Sequence, residues 1–85
     1  MDKKDFLIII RLLKAYYMDW TFNTGDSFLV DTWYQFLQRL GFERLKNAVH
    51  VYIARNDHGP NSPRDLLLID GELAMKEMIN NGESD

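Results

Sequence analysis

The stretch Phe28–Leu40, FLVDTWYQFLQRL, decides how this chain folds. Leu29, Trp33, Phe36, Leu37 and Leu40 stand at i, i+4, i+7, i+8 and i+11, the spacing that lines one face of a 3.6-residue helix. Trp33 sits near the middle, and a buried indole is the largest block of apolar area so short a chain can use. Asp26 or Ser27 supplies a cap at the start. Gly41, just past the end, can take the left-handed conformation that closes a helix. The spacing predicts a helix over 28–40 with Trp33 turned into a core.

Working outward from it, the flanking segments also read as helices. Phe6, Ile9, Ile10, Leu13, Tyr16 and Tyr17 keep the helical period through Asp2–Tyr17, with Lys4, Arg11 and Lys14 on the opposite side. Asp2 is placed to cap this helix, and Asp5 suits the positive end of its dipole. FLIII alone favours a strand, but the continued 3–4 spacing to Tyr17 decides for helix. Met18–Gly25, MDWTFNTG, breaks the period and reads as a loop. Its Trp20 and Phe22 either fold back to seal one end of the core or stand out as anchors for a partner.

After Gly41, Leu45, Ala48, Val49, Tyr52 and Ile53 predict a helix over Phe42–Asn56, and its short connection to the preceding helix predicts a helical hairpin. Asn56–Ser62, NDHGPNS, is the densest turn signal in the chain. Ser62-Pro63-Arg64-Asp65 then offers a cap, a proline at the first helical position and a carboxylate three residues after the cap. A fourth helix should start at Pro63 and carry Leu66, Leu67 and Ile69 onto the body. Gly71 should interrupt it, leaving a short helical stretch over Glu72–Ile79 and a frayed end at Asn80–Asp85.

Length and composition bound the rest. Eighty-five residues make one small domain, and the absence of cysteine excludes disulfides and thiolate metal sites. The longest nearly uncharged apolar run, Phe6–Ile10, is five residues, too short for a membrane span, so a soluble, cytoplasmic protein is expected. Net charge is -3 but unevenly spread. Residues 1–64 carry nine Lys/Arg against seven Asp/Glu, while residues 65–85 carry one against six. This asymmetry suggests a helical body over 1–69 and an acidic C-terminal tail over 70–85. The fold expected is all-α: a small bundle of about four helices with a short, partly disordered acidic tail. Its core should comprise Phe6, Ile9, Ile10, Leu13, Tyr17, Leu29, Trp33, Phe36, Leu37, Leu40, Leu45, Ala48, Val49, Tyr52 and Ile53.

No catalytic, cofactor-binding or metal-binding pattern emerges. His50 and His58 lack carboxylates or cysteines at ligand spacing, His50 reading as a boundary residue and His58 as solvated. Ser62 is explained as a cap, and Gly59 and Gly71 belong to no phosphate-cradling pattern. The chain is not expected to be an enzyme. The helices around Gly41 could form a helix-turn-helix, with Arg44, Lys46 and Arg55 on phosphates. Helical hairpins in small bundles are far commoner, and the acidic balance argues against direct nucleic-acid binding. The tail offers more. Asp70, Glu72, Glu77, Glu83 and Asp85 surround Leu73, Met75, Met78 and Ile79. This is either a last helix packed on the core or a mobile acidic segment that orders on a partner, with methionines as adaptable contacts.

Taken together, several stretches carry a resemblance. They are Ala15-Tyr16-Tyr17 closing the first helix, the aromatic loop with Trp20 and Phe22, and the Val30-Trp33-Leu37 helix. Ala48-Val49-x-x-Tyr52-Ile53-Ala54 and the entry through Pro60, Ser62-Pro63 and Asp65-Leu66 complete the set. Over about residues 5–67 the chain resembles the replicative helicase loader/inhibitor proteins encoded by phages of Gram-positive bacteria. That resemblance implies a helical N-terminal body and a flexible C-terminal segment, without an active site or cofactor. It implies binding to a hexameric DnaB-type replicative helicase, or another replication protein, to inhibit or load it. By position, Asp70, Glu72, Leu73, Met75, Glu77, Met78 and Ile79 would make the contact. Members of that family carry a longer C-terminal extension, whereas this chain stops at Asp85, and HGPNSP is longer than their proline-serine entry. The alternatives are a small phage DNA-binding or transcription-regulating protein, or an inhibitor of another host protein.

Overall fold

A computed structural model describes residues 1–83, the side chains of Asn80–Glu83 excepted. The element order is α1 (Lys3–Tyr16), α2 (Ser27–Leu37), α3 (Phe42–Arg55) and α4 (Pro63–Glu83), with a 3₁₀ turn at Gln38–Leu40 between α2 and α3. Among the described residues there are four α-helices and no strand. The chain is all-α, as its periodicity indicates.

Local chemistry sets the helix ends. The Asp2 side chain accepts from the Asp5 backbone N–H at 2.9 Å and starts α1. Asp26, not Ser27, caps α2, its carboxylate accepting from the backbone N–H groups of Phe28 and Leu29. Gly41, at φ 79°, turns the chain into α3 through a conformation that side-chain-bearing residues rarely adopt. At the start of α4 the Asp65 carboxylate reaches back as a capping box requires, but it accepts from the Asn61 N–H, one residue ahead of the expected position.

The core collects Phe6, Ile9, Ile10 and Leu13 from α1 and Val30, Trp33 and Leu37 from α2. Leu45, Ala48, Val49 and Tyr52 come from α3, and Leu66 and Ile69 from α4. Tyr17, Phe22 and Leu40 complete it from the connections. Three expected members differ. Phe36 is 53% exposed, and Leu29 and Ile53 are only half-buried. On α2 the buried face is centred on Val30, Trp33 and Leu37, which turns Phe36 to the side. Nor do α2 and α3 lie together as a hairpin, since the main packing partners of α3 are α4 and α1.

The end of the body nearest the 56–62 turn is sealed by aromatics. Phe22 is buried, Trp20 is half-buried and stacked on it at 4.9 Å, and both meet Trp33 edge-on at 5.0 and 5.8 Å. The turn itself is held by three aromatic donors. Tyr17 Oη donates to the Asn56 carbonyl at 2.8 Å, Trp20 Nε1 to Pro60 at 3.0 Å, and Tyr52 Oη to His58 at 2.9 Å. Lys14, expected on the solvent side, is half-buried, and its ammonium donates to the carbonyls of Trp20 and Phe22. Every buried side-chain polar atom among the described residues has a partner.

Two readings of the C-terminal segment change. Gly71 does not interrupt α4, which runs as one helix to Glu83. Packing of Leu66, Ile69 and half-buried Leu73 on either side of the glycine overrides its poor helix propensity. The frayed end expected at Asn80–Asp85 falls partly on Ser84 and Asp85, which lie outside the described residues.

Candidate partner-binding site

The α4 helix crosses α3 and then leaves the body. Asp70 is its last buried residue. Its carboxylate accepts from Arg44 Nε at 3.1 Å and Nη2 at 2.6 Å, a two-point pair that fixes the planes of both groups. The bond to Asp70 and the attraction of its charge raise the Arg44 pKa further above its already high ordinary value, Glu77 adding to the pull. Two residues on, Glu72 accepts from Arg55 Nη1 at 2.7 Å, with both side chains largely in water. Arg44 and Arg55 lie on one face of α3 about 16 Å apart along its axis. Asp70 and Glu72 point to nearly opposite sides of α4. An arginine of α3 therefore grips α4 on each flank where the helices cross.

Beyond this crossing, Leu73 alone among the described side chains keeps partial burial. Met75, Met78 and Ile79 are 66, 74 and 56% exposed. Leu68, 59% exposed, extends the same surface toward the body. Leu68, Glu72, Met75 and Ile79 stand at i, i+4, i+7 and i+11, so an apolar stripe interrupted by one carboxylate runs along the outward side of α4. A cleft lined by Arg55, Glu72, Leu73, Met75, Lys76 and Ile79 opens beside it.

The seven residues singled out from sequence thus divide. Met75, Met78 and Ile79 are apolar and open to solvent, Glu77 is exposed, and Leu73 touches the core. Asp70 and Glu72 are occupied by arginines of the same chain. Sequence reasoning missed Leu68, Arg44 and Arg55 as parts of this surface. Leu68 would have been found by continuing the 3–4 spacing back through Gly71. The arginines carry no such signal, because their partners are 26 and 17 residues away.

The same pairs bear on the nucleic-acid alternative. Of its three phosphate contacts, Arg44 and Arg55 hold carboxylates, and Lys46 is half-buried. His50 is exposed, and His58 is exposed at its ring while its carbonyl holds Tyr52. Among the described residues no group of three His, Cys, Asp or Glu could hold a metal ion. No described helix is long and apolar enough to cross a membrane.

Comparison with known proteins gives one match. The family model for the N-terminal domain of the phage gene 39 product, a helicase loader/inhibitor, covers residues 1–66, from the start of the chain into the first turn of α4. No curated protein and no solved structure matches the chain.

Proposed function

The chain belongs to the phage helicase loader/inhibitor family, and from that premise we propose that it is an adaptor for a hexameric DnaB-type replicative helicase, engaged through the projecting half of α4. The family is one of non-catalytic adaptors. The action proposed is stoichiometric capture in the host cytoplasm: the adaptor binds the helicase and restrains it until it is delivered.

One observation carries the assignment of the surface. The stripe formed by Leu68, Met75 and Ile79, with Met78 beside it, is exposed on a helix that leaves the body and ends in acidic residues. Helices of this kind bind by laying an apolar face into a groove, and unbranched methionines adapt to an irregular one. Glu72 and Glu77 along the stripe favour a groove with a basic rim.

The test compares the full chain with a chain ending at Leu73, which keeps both arginine pairs and so preserves the crossing with α3. Each is mixed with a purified DnaB-type helicase from a Gram-positive host and examined by size-exclusion chromatography. The full chain should co-elute with the helicase and lower its ATP-dependent unwinding, whereas the shortened chain should do neither while remaining helical. Binding retained by the shortened chain would move the site to the body. No binding by either would remove the helicase from the proposal.

A further inference from the structure

Gly71 lies between two attachments of unequal strength. On its body side, Asp70 is buried and doubly bonded to Arg44. On its far side, Glu72 meets Arg55 through one contact between two exposed side chains, the kind of ion pair that shifts an equilibrium only a few-fold. Nothing stands within 4 Å of where a Cβ on Gly71 would sit. The contrast with Gly59 is plain, since there the Trp20 indole occupies the space a side chain would need, at 2.3 Å. Packing demands glycine at 59 and does not demand it at 71. The residue placed where burial ends is one that weakens a helix from within.

We propose that Gly71 is a hinge and the Arg55–Glu72 pair its latch, so that the segment beyond Asp70 swings relative to a body to which Asp70 stays fixed. Latched, the segment continues α4 straight, with Leu73 on the core and the cleft beside Arg55 formed. Unlatched, the helix bends at Gly71, Arg55 is freed, and Met75, Met78 and Ile79 sweep through a range of directions. The device belongs to the free chain and goes beyond the proposed function, because it holds whichever partner the stripe meets.

The chain has no cysteine, so spin labels can be placed on introduced ones without background. One label goes on α2 at exposed Gln35 (Gln35→Cys) and the second at Ala74→Cys or Met78→Cys, with Gln35→Cys paired with Asn47→Cys as a rigid body reference. Pulsed dipolar spectroscopy then gives the distance distributions. A hinge broadens both tail pairs relative to the reference. Gly71→Ala should reduce the population outside the main peak roughly fivefold, and Glu72→Gln should raise it a few-fold. Equal and narrow distributions in the parent and Gly71→Ala would overturn the proposal. So would broadening confined to the Met78 label, which marks fraying from the end of the helix rather than a pivot at its glycine.

Discussion

The 56–62 turn and the projecting half of α4 begin fewer than twenty residues apart, and they handle solvent in opposite ways. The turn has no regular structure of its own, yet its carbonyls at Asn56, His58 and Pro60 are taken up by Tyr17, Tyr52 and Trp20. The helix beyond Asp70 has complete regular structure, yet it leaves Met75, Met78 and Ile79 in water. Regularity and anchorage are therefore separate properties in this molecule. The irregular segment is bound at each step by aromatic donors, and the regular one is held chiefly where it crosses α3.

The contrast predicts a descending series of effects. Trp33→Ala removes the indole on which Trp20 and Phe22 close, and should cost about 3–5 kcal/mol, enough to unfold much of so small a domain at 25 °C. Circular dichroism on heating checks it, and an unchanged melting temperature would mean the aromatic end is not what holds the body.

Alkali attacks the same end through Tyr52. Burial first, then the charges of Asp65 and Tyr17, push its pKa from the ordinary 10.0 up to about 12. The folded state thus keeps the phenol proton through a range in which the unfolded chain loses it. Stability should be level below pH 10, fall between pH 10 and about 12, and level off again above. The loss is on the order of 2 kcal/mol. Urea titrations across this range, read beside tyrosinate absorbance, measure it, and a flat profile would show Tyr52 to be accessible.

Gly59→Ala comes next, since its methyl group must displace the Trp20 ring, with an expected cost of about 1–3 kcal/mol and a red shift of tryptophan emission. The smallest effect belongs to the other region. Replacing Met75, Met78 and Ile79 together by glutamine should move stability by no more than about 0.5 kcal/mol. The same replacement should abolish capture of the helicase. A large loss of stability there would erase the distinction between an anchored end and a free one.

What could be read in the sequence follows the same division between local and distant causes. Asp2 and Asp26 as caps, Pro63 as a helix start and Trp33 as a core residue were legible because each depends on neighbours within a turn or two. Phe36 was not, because its exposure depends on which side of α2 the rest of the body occupies, and that side is centred on Val30. Lys14 looked like a solvated charge, and its role appears only once the loop carbonyls of Trp20 and Phe22 are brought to it. At the candidate site the exposed methionines were visible from composition and spacing. The engagement of Asp70 and Glu72 was not, because arginines contributed by another helix leave no mark at the positions they grip.

The two arginines of α3 have a consequence for how binding data on this protein will read. Held on one flank alone, a helix can still roll about its own axis, and a roll of one residue position is about 100°. Held on both, α4 has its azimuth set, and with it the choice of side chains that look outward. That choice is written at positions 44 and 55. A substitution at either would rotate the presented face without altering one of its residues, and a binding scan would attribute the loss to chemistry when its origin is orientation.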